Sequence, residues 1–412
     1  VTQDAFQHRF ANGLTLLAEP MPHVRSAAMY FLVPAGCVHD PAGKSGLAGI
    51  VAGMMARGAG DRDNRALMLA QDKLGLDRSE SVGVVHMQFW GGTVAKNLPA
   101  GMEIFADVLR RPTFPAEELE PIQALALQEI KGLEDEPTSR LMLELRKRLY
   151  PTPLCNDHRG TVEGVESVTL ADVKAYHARH FAPSGTIVAV AGNIDWPQIR
   201  DQVERLFGDW KGTAPPAPPL GPEPSGHTHM TKELEQTHIA LAYPSVPVNH
   251  PDYYQALGAV NVLSGGMGAR LFTEIREKEG LCYSVSASYM AMKDRGAVRG
   301  YAASLNHQAQ RTFDKLVEEL CRLPQGITDE EVDRVKVGLK TSLIMRQEST
   351  SSRALALASD WYYLGRVQSF DEIQARIDGL TATSILDHLR KTPPRDFRVV
   401  TIGPEAMNTS AV

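Results

Sequence analysis

Side chains able to do chemistry are thinly spread along this chain of 412 residues, and one segment concentrates them. Residues 265–287 (GGMGARLFTEIREKEGLCYSVSA) run from a glycine-rich turn through a charged helix into an alternating strand. The glycines lack the G-x-G-x-x-G spacing and no Lys-Ser/Thr pair follows them, so the turn is not built to cradle a phosphate. Arg276 near the end of the helix and Tyr283 on the strand after it can converge on one ligand, a planar guanidinium fork beside a phenolic donor. A surface arginine and a half-buried strand tyrosine fit the same spacing.

The metal and nucleophile patterns are weaker. His177 and His180 stand three residues apart on a helix and can share a metal, but no acidic or cysteine partner lies at a suggestive spacing, so a structural pair is expected. His227 and His229 end a proline-rich stretch, where exposed histidines need no function, and His86, in a strand over 84–88, is expected to fill a face of a sheet. Cys37, Cys155, Cys282 and Cys321 are far apart and lack C-x-x-C spacing, which makes neither a zinc knuckle nor a redox pair. No G-x-S-x-G elbow supports a serine nucleophile.

The elements that must position these residues are strands mixed with long helices. Runs rich in apolar, β-branched or aromatic residues predict strands over 26–33 and 82–90, and apolar residues at three- and four-residue spacing predict helices over 98–110 and 116–149. A Thr169 cap with Asp172 in the first turn opens a helix to His180, and the apolar run 186–192 follows as a strand. The second half closes in the same way, with a helix over 382–390 and a strand over 397–402, which suggests a diverged internal repeat of ~200 residues. Between the halves, residues 212–226 (GTAPPAPPLGPEPSG) form a proline-rich linker, which at ~3.1 Å per residue spans about 45 Å. The expected fold is α+β: two similar domains from a duplication, 1–211 and 230–412, each a mixed, mainly antiparallel sheet packed with helices and joined by a linker over 212–229.

Composition narrows the function. With 43% hydrophobic and 22% charged residues the chain is that of an ordinary globular protein, and a net charge of -6 offers no footprint for nucleic acid or an anionic membrane. No run reaches the ~18 to 20 apolar residues of a membrane span. The chain opens at Val1 with no basic-then-apolar leader, so its start is read as trimmed, with removal of a secretory signal as one explanation.

The 265–287 segment resembles the second-half signature of the pitrilysin and mitochondrial-processing-peptidase family of zinc metallopeptidases, the inverzincins, whose Arg and Tyr seven residues apart bind substrate; Arg276 and Tyr283 match that pair. The similarity extends to FANGLTL at 10–16, PAGC at 34–37, LRRPTFPAEEL at 109–119 and FAPSGTIVAVAGN at 181–193, which is nearly the whole chain.

One departure from the family pattern decides what the resemblance implies. The family's catalytic helix carries H-x-x-E-H, two imidazoles one turn apart that hold zinc and a glutamate acting as general base. Here residues 46–58 read GLAGIVAGMMARG, which puts Gly49 and Gly53 at the two histidine positions and Ala52 at the base. Glu129 remains at the third ligand position, and one carboxylate cannot hold a catalytic zinc, which takes three protein ligands. On its own Glu129 reads as a solvated or salt-bridged helix residue.

The resemblance therefore implies the non-zinc subunit of a bacterial heterodimeric peptidase. In the family's two-subunit members one chain supplies the zinc motif and the other the Arg/Tyr pair, the two closing around an unfolded peptide. This chain is expected to bind no zinc itself, to be inactive alone, and to lend Arg276 and Tyr283 to a homologous zinc-bearing partner. A periplasmic location is expected from the missing Met and from similar bacterial pairs, with the cytoplasm as the alternative. The alternatives to the peptidase subunit are a non-catalytic core subunit, like those of the respiratory cytochrome complex, and a chaperone-like peptide binder.

Overall fold

The computed structural model describes residues 5–410 and 412. The chain packs as two compact units, one made of Val1–Gly132, Thr152–Gly221 and Arg346–Val367, the other of Leu133–Pro151, Pro222–Met345 and Gln368–Val412. Relative to the continuous segments 1–211 and 230–412, one helix has changed sides in each direction.

In the first unit the strands are β1 (Phe6–Arg9), β2 (Thr15–Pro20), β3 (Ser26–Val33), the short ladder β4 (Gly58–Ala59) with β5 (Arg62–Asp63), β6 (Asp77–Val82), β7 (Met87–Val94) and β8 (Ile187–Gly192). The main sheet has the order β1-β2-β8-β3-β7-β6, parallel only at β2/β8. The second unit holds β9 (Thr228–Thr231), β10 (Gln236–Ser245), β11 (Ser284–Met292), β12 (Arg295–Leu305) and β13 (Arg398–Gly403), in the order β11-β12-β10-β13-β9, parallel only at β9/β13. Replacing β9 to β13 by β2, β3, β6, β7 and β8 turns the second order into the first. The chain thus carries the same five-strand topology twice, in two mixed, mainly antiparallel sheets.

Burial explains why the central strands read as continuous apolar runs. Along β3, Ala27, Met29, Phe31 and Val33 enter the main core while Ala28, Tyr30 and Leu32 pack on the opposite face, under Ala354, Leu357 and Ala358 of the helix Thr350–Leu364. A strand covered on both faces has no polar side to alternate with. The second sheet repeats the plan. Ile239, Leu241 and Tyr243 of β10 face its core, and Ala240 and Ala242 face Leu141 and Leu145 of the helix Pro137–Leu149. Each outer face is therefore covered by a helix from the other half of the chain. In the first unit the buried Glu19 carboxylate receives two bonds from Arg353, at 2.9 and 2.5 Å, which fixes that helix to β2.

Two expectations are corrected. The single strand expected over 82–90 is a hairpin whose turn spans Gly83 to His86; the turn is held by backbone bonds from Gly36, Cys37 and Val38 to Val85, Gly83 and Val84, at 3.1, 3.1 and 2.8 Å. The helical stretch expected over 116–149 divides into Leu119–Gly132 and Pro137–Leu149, because Pro137 lacks an N–H and opens a new helix at its first turn. Strand β3 and the helix Leu98–Arg110 have the expected bounds, and the Thr169/Asp172 capping box forms at the start of Leu170–His180. Residues 214–227 carry no regular element. No helix among the described residues is long and apolar enough to cross a membrane.

Candidate functional site

In the second unit Arg276 and Tyr283 come together. Residues Phe272–Lys278 take the wider π-helical form, a local departure that proteins often place at functional sites. This helix leads through Leu281, whose N–H bonds back to the Ile275 carbonyl at 3.0 Å. The Leu281 carbonyl accepts from Ser304 Oγ at 2.6 Å and from Thr312 Oγ1 at 3.2 Å, both buried, which anchors the crossing from helix to strand. Tyr283 follows two residues later and directly precedes β11, where an on-strand position was expected.

The Arg276 guanidinium lies 4.7 Å from the Tyr283 ring centroid and 4.8 Å from that of Phe272. Two aromatic faces hold one cation by its quadrupole attraction and leave the in-plane N–H edge uncommitted. Among the described residues neither Arg276 nor Tyr283 makes a hydrogen bond or an ion pair within the protein, and Tyr283 is 75% exposed. Burial pushes the thiol of the neighbouring Cys282 up to about 11 against the pull of the Arg276 charge. Phe272 was missed in the sequence, although it lies four residues before Arg276, a spacing that puts two side chains on one helix face.

In the first unit Gly49, Ala52, Gly53 and Glu129 line one cleft of about 430 Å³, together with Arg57, Glu80, Ile122, His158 and Arg159. The helix Leu47–Met55 that carries the glycines is capped by Asp40, which accepts from the N–H groups of Gly46 and Ala48 at 2.8 and 2.9 Å. Burial nonetheless pushes the Asp40 carboxyl up to about 7, the two backbone bonds only partly opposing it.

The residues that line this cleft do not make a zinc site. A Cβ on Gly49 would lie 2.6 Å from the His158 carbonyl oxygen, so an imidazole cannot be built there without moving backbone. At Gly53 the nearest atoms are the two methyls of the buried Ile122, side chain rather than backbone, at 3.1 and 3.3 Å. The Glu129 carboxylate instead faces the Arg159 guanidinium, Nε at 4.0 Å, and the His158 imidazole, Nε2 at 3.7 Å. Among the described residues no three His, Cys, Asp or Glu side chains are placed to hold a metal. Arg159 is held in turn by Asp157, at 2.6 and 3.1 Å. Burial raises that carboxyl, but the Arg159 bonds and the adjacent charges outweigh it and leave it below the usual range. His158 and Arg159 escaped the sequence reading because nothing local links them to Glu129.

Of the other histidines singled out in the sequence, all but His227 have structural neighbours. His177 Nε2 is 2.9 Å from the Leu109 carbonyl, while His180 is buried with its ring 4.5 Å from those of His39 and Tyr176. Burial, with the His39 and Arg179 charges, lowers His180 to about 4. His229 Nδ1 meets Thr401 Oγ1 at 2.8 Å, His227 is exposed, and His86 sits in the hairpin turn, its ring edge-on to Tyr362 at 4.5 Å.

Comparison with known proteins gives a consistent relationship. Residues 15–161 match the family described as Insulinase (Peptidase family M16), and residues 167–339 match the Peptidase M16 inactive domain. The chain is 27% identical over 401 residues to a Bacillus subtilis (strain 168) protein named Uncharacterized zinc protease YmxG, covering 95% of this chain and 97% of the relative. It is 25% identical over 406 residues to an Uncharacterized zinc protease of Rickettsia bellii (strain RML369-C), covering 97% and 98%. A solved peptidase M16 inactive domain from Pseudomonas fluorescens superposes with a TM-score of 0.91 at 22% identity, over 98% of this chain and 100% of that one. A protease from Helicobacter pylori does so with a TM-score of 0.89 at 19% identity, over 98% and 100%. At these identities the solved structures speak for the fold, and the two family matches, which between them span most of residues 15–339, make the chain a member of the pitrilysin-like peptidase family M16.

Proposed function

We propose that this chain is the non-zinc, substrate-binding subunit of a heterodimeric metallopeptidase that cleaves peptides or unfolded proteins in a closed chamber. The observation that carries the reading is the Arg276 guanidinium held between Phe272 and Tyr283 with its donors uncommitted. In this role the N–H edge of Arg276 and the phenolic O–H of Tyr283 donate to the carbonyl of a bound peptide, or to the oxyanion that develops from it. Preorganised donors of this kind contribute ~2.7 to 4 kcal/mol each in the transition state, because they need no reorientation when the charge appears. Gly49, Ala52 and Gly53 offer no ligand or base, so the zinc belongs to a homologous partner chain. A periplasmic location is part of the same proposal.

The test is reconstitution. The chain is purified alone and mixed with a zinc-bearing homologue encoded beside it, and cleavage of an unstructured peptide is followed. Activity in the mixture that neither chain shows alone is the expected result. Equal activity with and without this chain would turn the reading toward a scaffold.

A further inference from the structure

We propose that residues 157–160 act as a plug on the degenerate metal-motif helix, so that this chain is kept metal-free by its backbone and not only by its missing ligands. The inference rests on reading Gly49, Ala52 and Gly53 as the vacated motif positions, and it goes beyond the loss of three side chains.

The plug is fastened at both ends. Before it, Asn156 Nδ2 donates to the Cys37 carbonyl at 3.3 Å, and the Cys37 thiol donates to the Asn156 carbonyl at 3.6 Å. After it, the Thr161 N–H reaches the Ser45 carbonyl at 3.4 Å. Between them Gly160, at φ 73°, lies so close to Ser45 that no side chain would fit, and a Cβ on Gly46 would lie 2.9 Å from the Arg159 carbonyl. This backbone-on-backbone approach brings the His158 carbonyl oxygen to 2.6 Å from where the Cβ of a ligand at position 49 would go, too close for that atom.

A flexible side chain in that place would swing aside. A carbonyl held by a segment anchored on both flanks cannot do so without releasing its anchors. The same segment brings the Arg159 guanidinium and the His158 ring to Glu129, so the one retained ligand position already faces the Arg159 charge. Steric exclusion at position 49 and charge compensation at position 129 come from consecutive residues of one loop.

Glycine in a helix interior is ordinarily less stable than alanine, so Gly→Ala there should raise the unfolding midpoint unless the new Cβ collides. Gly49→Ala is expected to lower the midpoint and to speed hydrogen exchange at the Thr161 amide. Gly53→Ala, which meets the Ile122 side chain at 3.1 and 3.3 Å and no backbone, should leave the midpoint above that of Gly49→Ala. The triple variant Gly49→His, Ala52→Glu, Gly53→His of the full chain is expected to hold no stoichiometric zinc after dialysis against the metal. One tightly held zinc per chain in that variant would overturn the plug, as would a higher midpoint in Gly49→Ala. Should the triple variant fail to fold, the alanine pair decides alone. Stoichiometric zinc in the unmodified chain is a separate result, which would instead sink the proposed non-zinc role.

Discussion

Arg276 illustrates how little chemistry one residue needs when its surroundings are stiff. Two ring faces restrict the guanidinium plane, and the Leu281 carbonyl, bonded by Ser304 and Thr312, fixes the backbone from which Tyr283 projects. Tyr283→Phe removes one donor and keeps the ring that holds Arg276. It should leave folding and assembly intact while slowing cleavage by the reconstituted pair roughly 10²- to 10³-fold. Arg276→Lys keeps the charge but loses the planar fork and its stacking between rings, so it too should impair activity. Steady-state kinetics with zinc content measured alongside separates these effects from a loss of metal; rates within about twofold of the unmodified pair for both variants would make the residues inherited and unused.

At the scale of elements, the helix Thr350–Leu364 is the informative one, because it covers a sheet whose strands lie far away in the sequence. Its anchor is the Glu19–Arg353 pair, with both side chains buried. Glu19→Gln keeps the volume and leaves an uncompensated guanidinium, a change that costs about 3 to 5 kcal/mol. Urea unfolding should show that loss, and a loss below about 1 kcal/mol would mean that apolar contacts alone hold the helix. The helix Leu170–His180 supplies a pH dependence. His180 is held down to about 4 when folded and titrates near 6.5 when unfolded. Between those values the unfolded chain binds the extra proton, so stability from this group is present above about 6.5 and is lost as the pH falls toward 4. Asp40, raised by burial, works in the opposite direction over much of the same range. The contribution of His180 is therefore read as a difference: His180→Phe should flatten the acid-side decline of the unfolding midpoint, and an unchanged profile would assign the decline to other groups.

For the molecule as a whole, the repeated five-strand order and the exchanged helices make each unit dependent on both halves of the chain. Neither 1–211 nor 230–412 contains the helix that covers the outer face of its own sheet. Expressed alone, each segment should aggregate or remain loosely folded, with an apolar sheet face open to water; a cooperative unfolding transition in either would show that the outer helix is dispensable. The proposed partner sets a further expectation. Co-expression with a zinc-bearing homologue should give an equimolar complex on size exclusion, with an obligate-type interface on the order of 2,000 Å² or more. A chain that elutes as a monomer beside every such homologue would refute the assembly.

What the sequence determined by itself was local. The bounds of β3, the Thr169/Asp172 capping box and the helix Leu98–Arg110 are written in periodicity and caps that act within a few residues. The Arg276 and Tyr283 spacing, and the Gly49, Ala52 and Gly53 run that the resemblance reads as a lost zinc motif, were equally visible, because a motif is a statement about residue order. Tertiary structure decided the rest. The hairpin inside 82–90 has only Gly83 as a turn signal, and its turn is held by backbone bonds to residues 36–38. The apolar stripes of Pro137–Leu149 and Thr350–Leu364 reveal that each helix needs a sheet but not which sheet, since burial is non-directional. The crowding of Gly49 depends on a carbonyl more than a hundred residues away, and backbone atoms, which every residue carries alike, leave no trace in sequence of where they will pack.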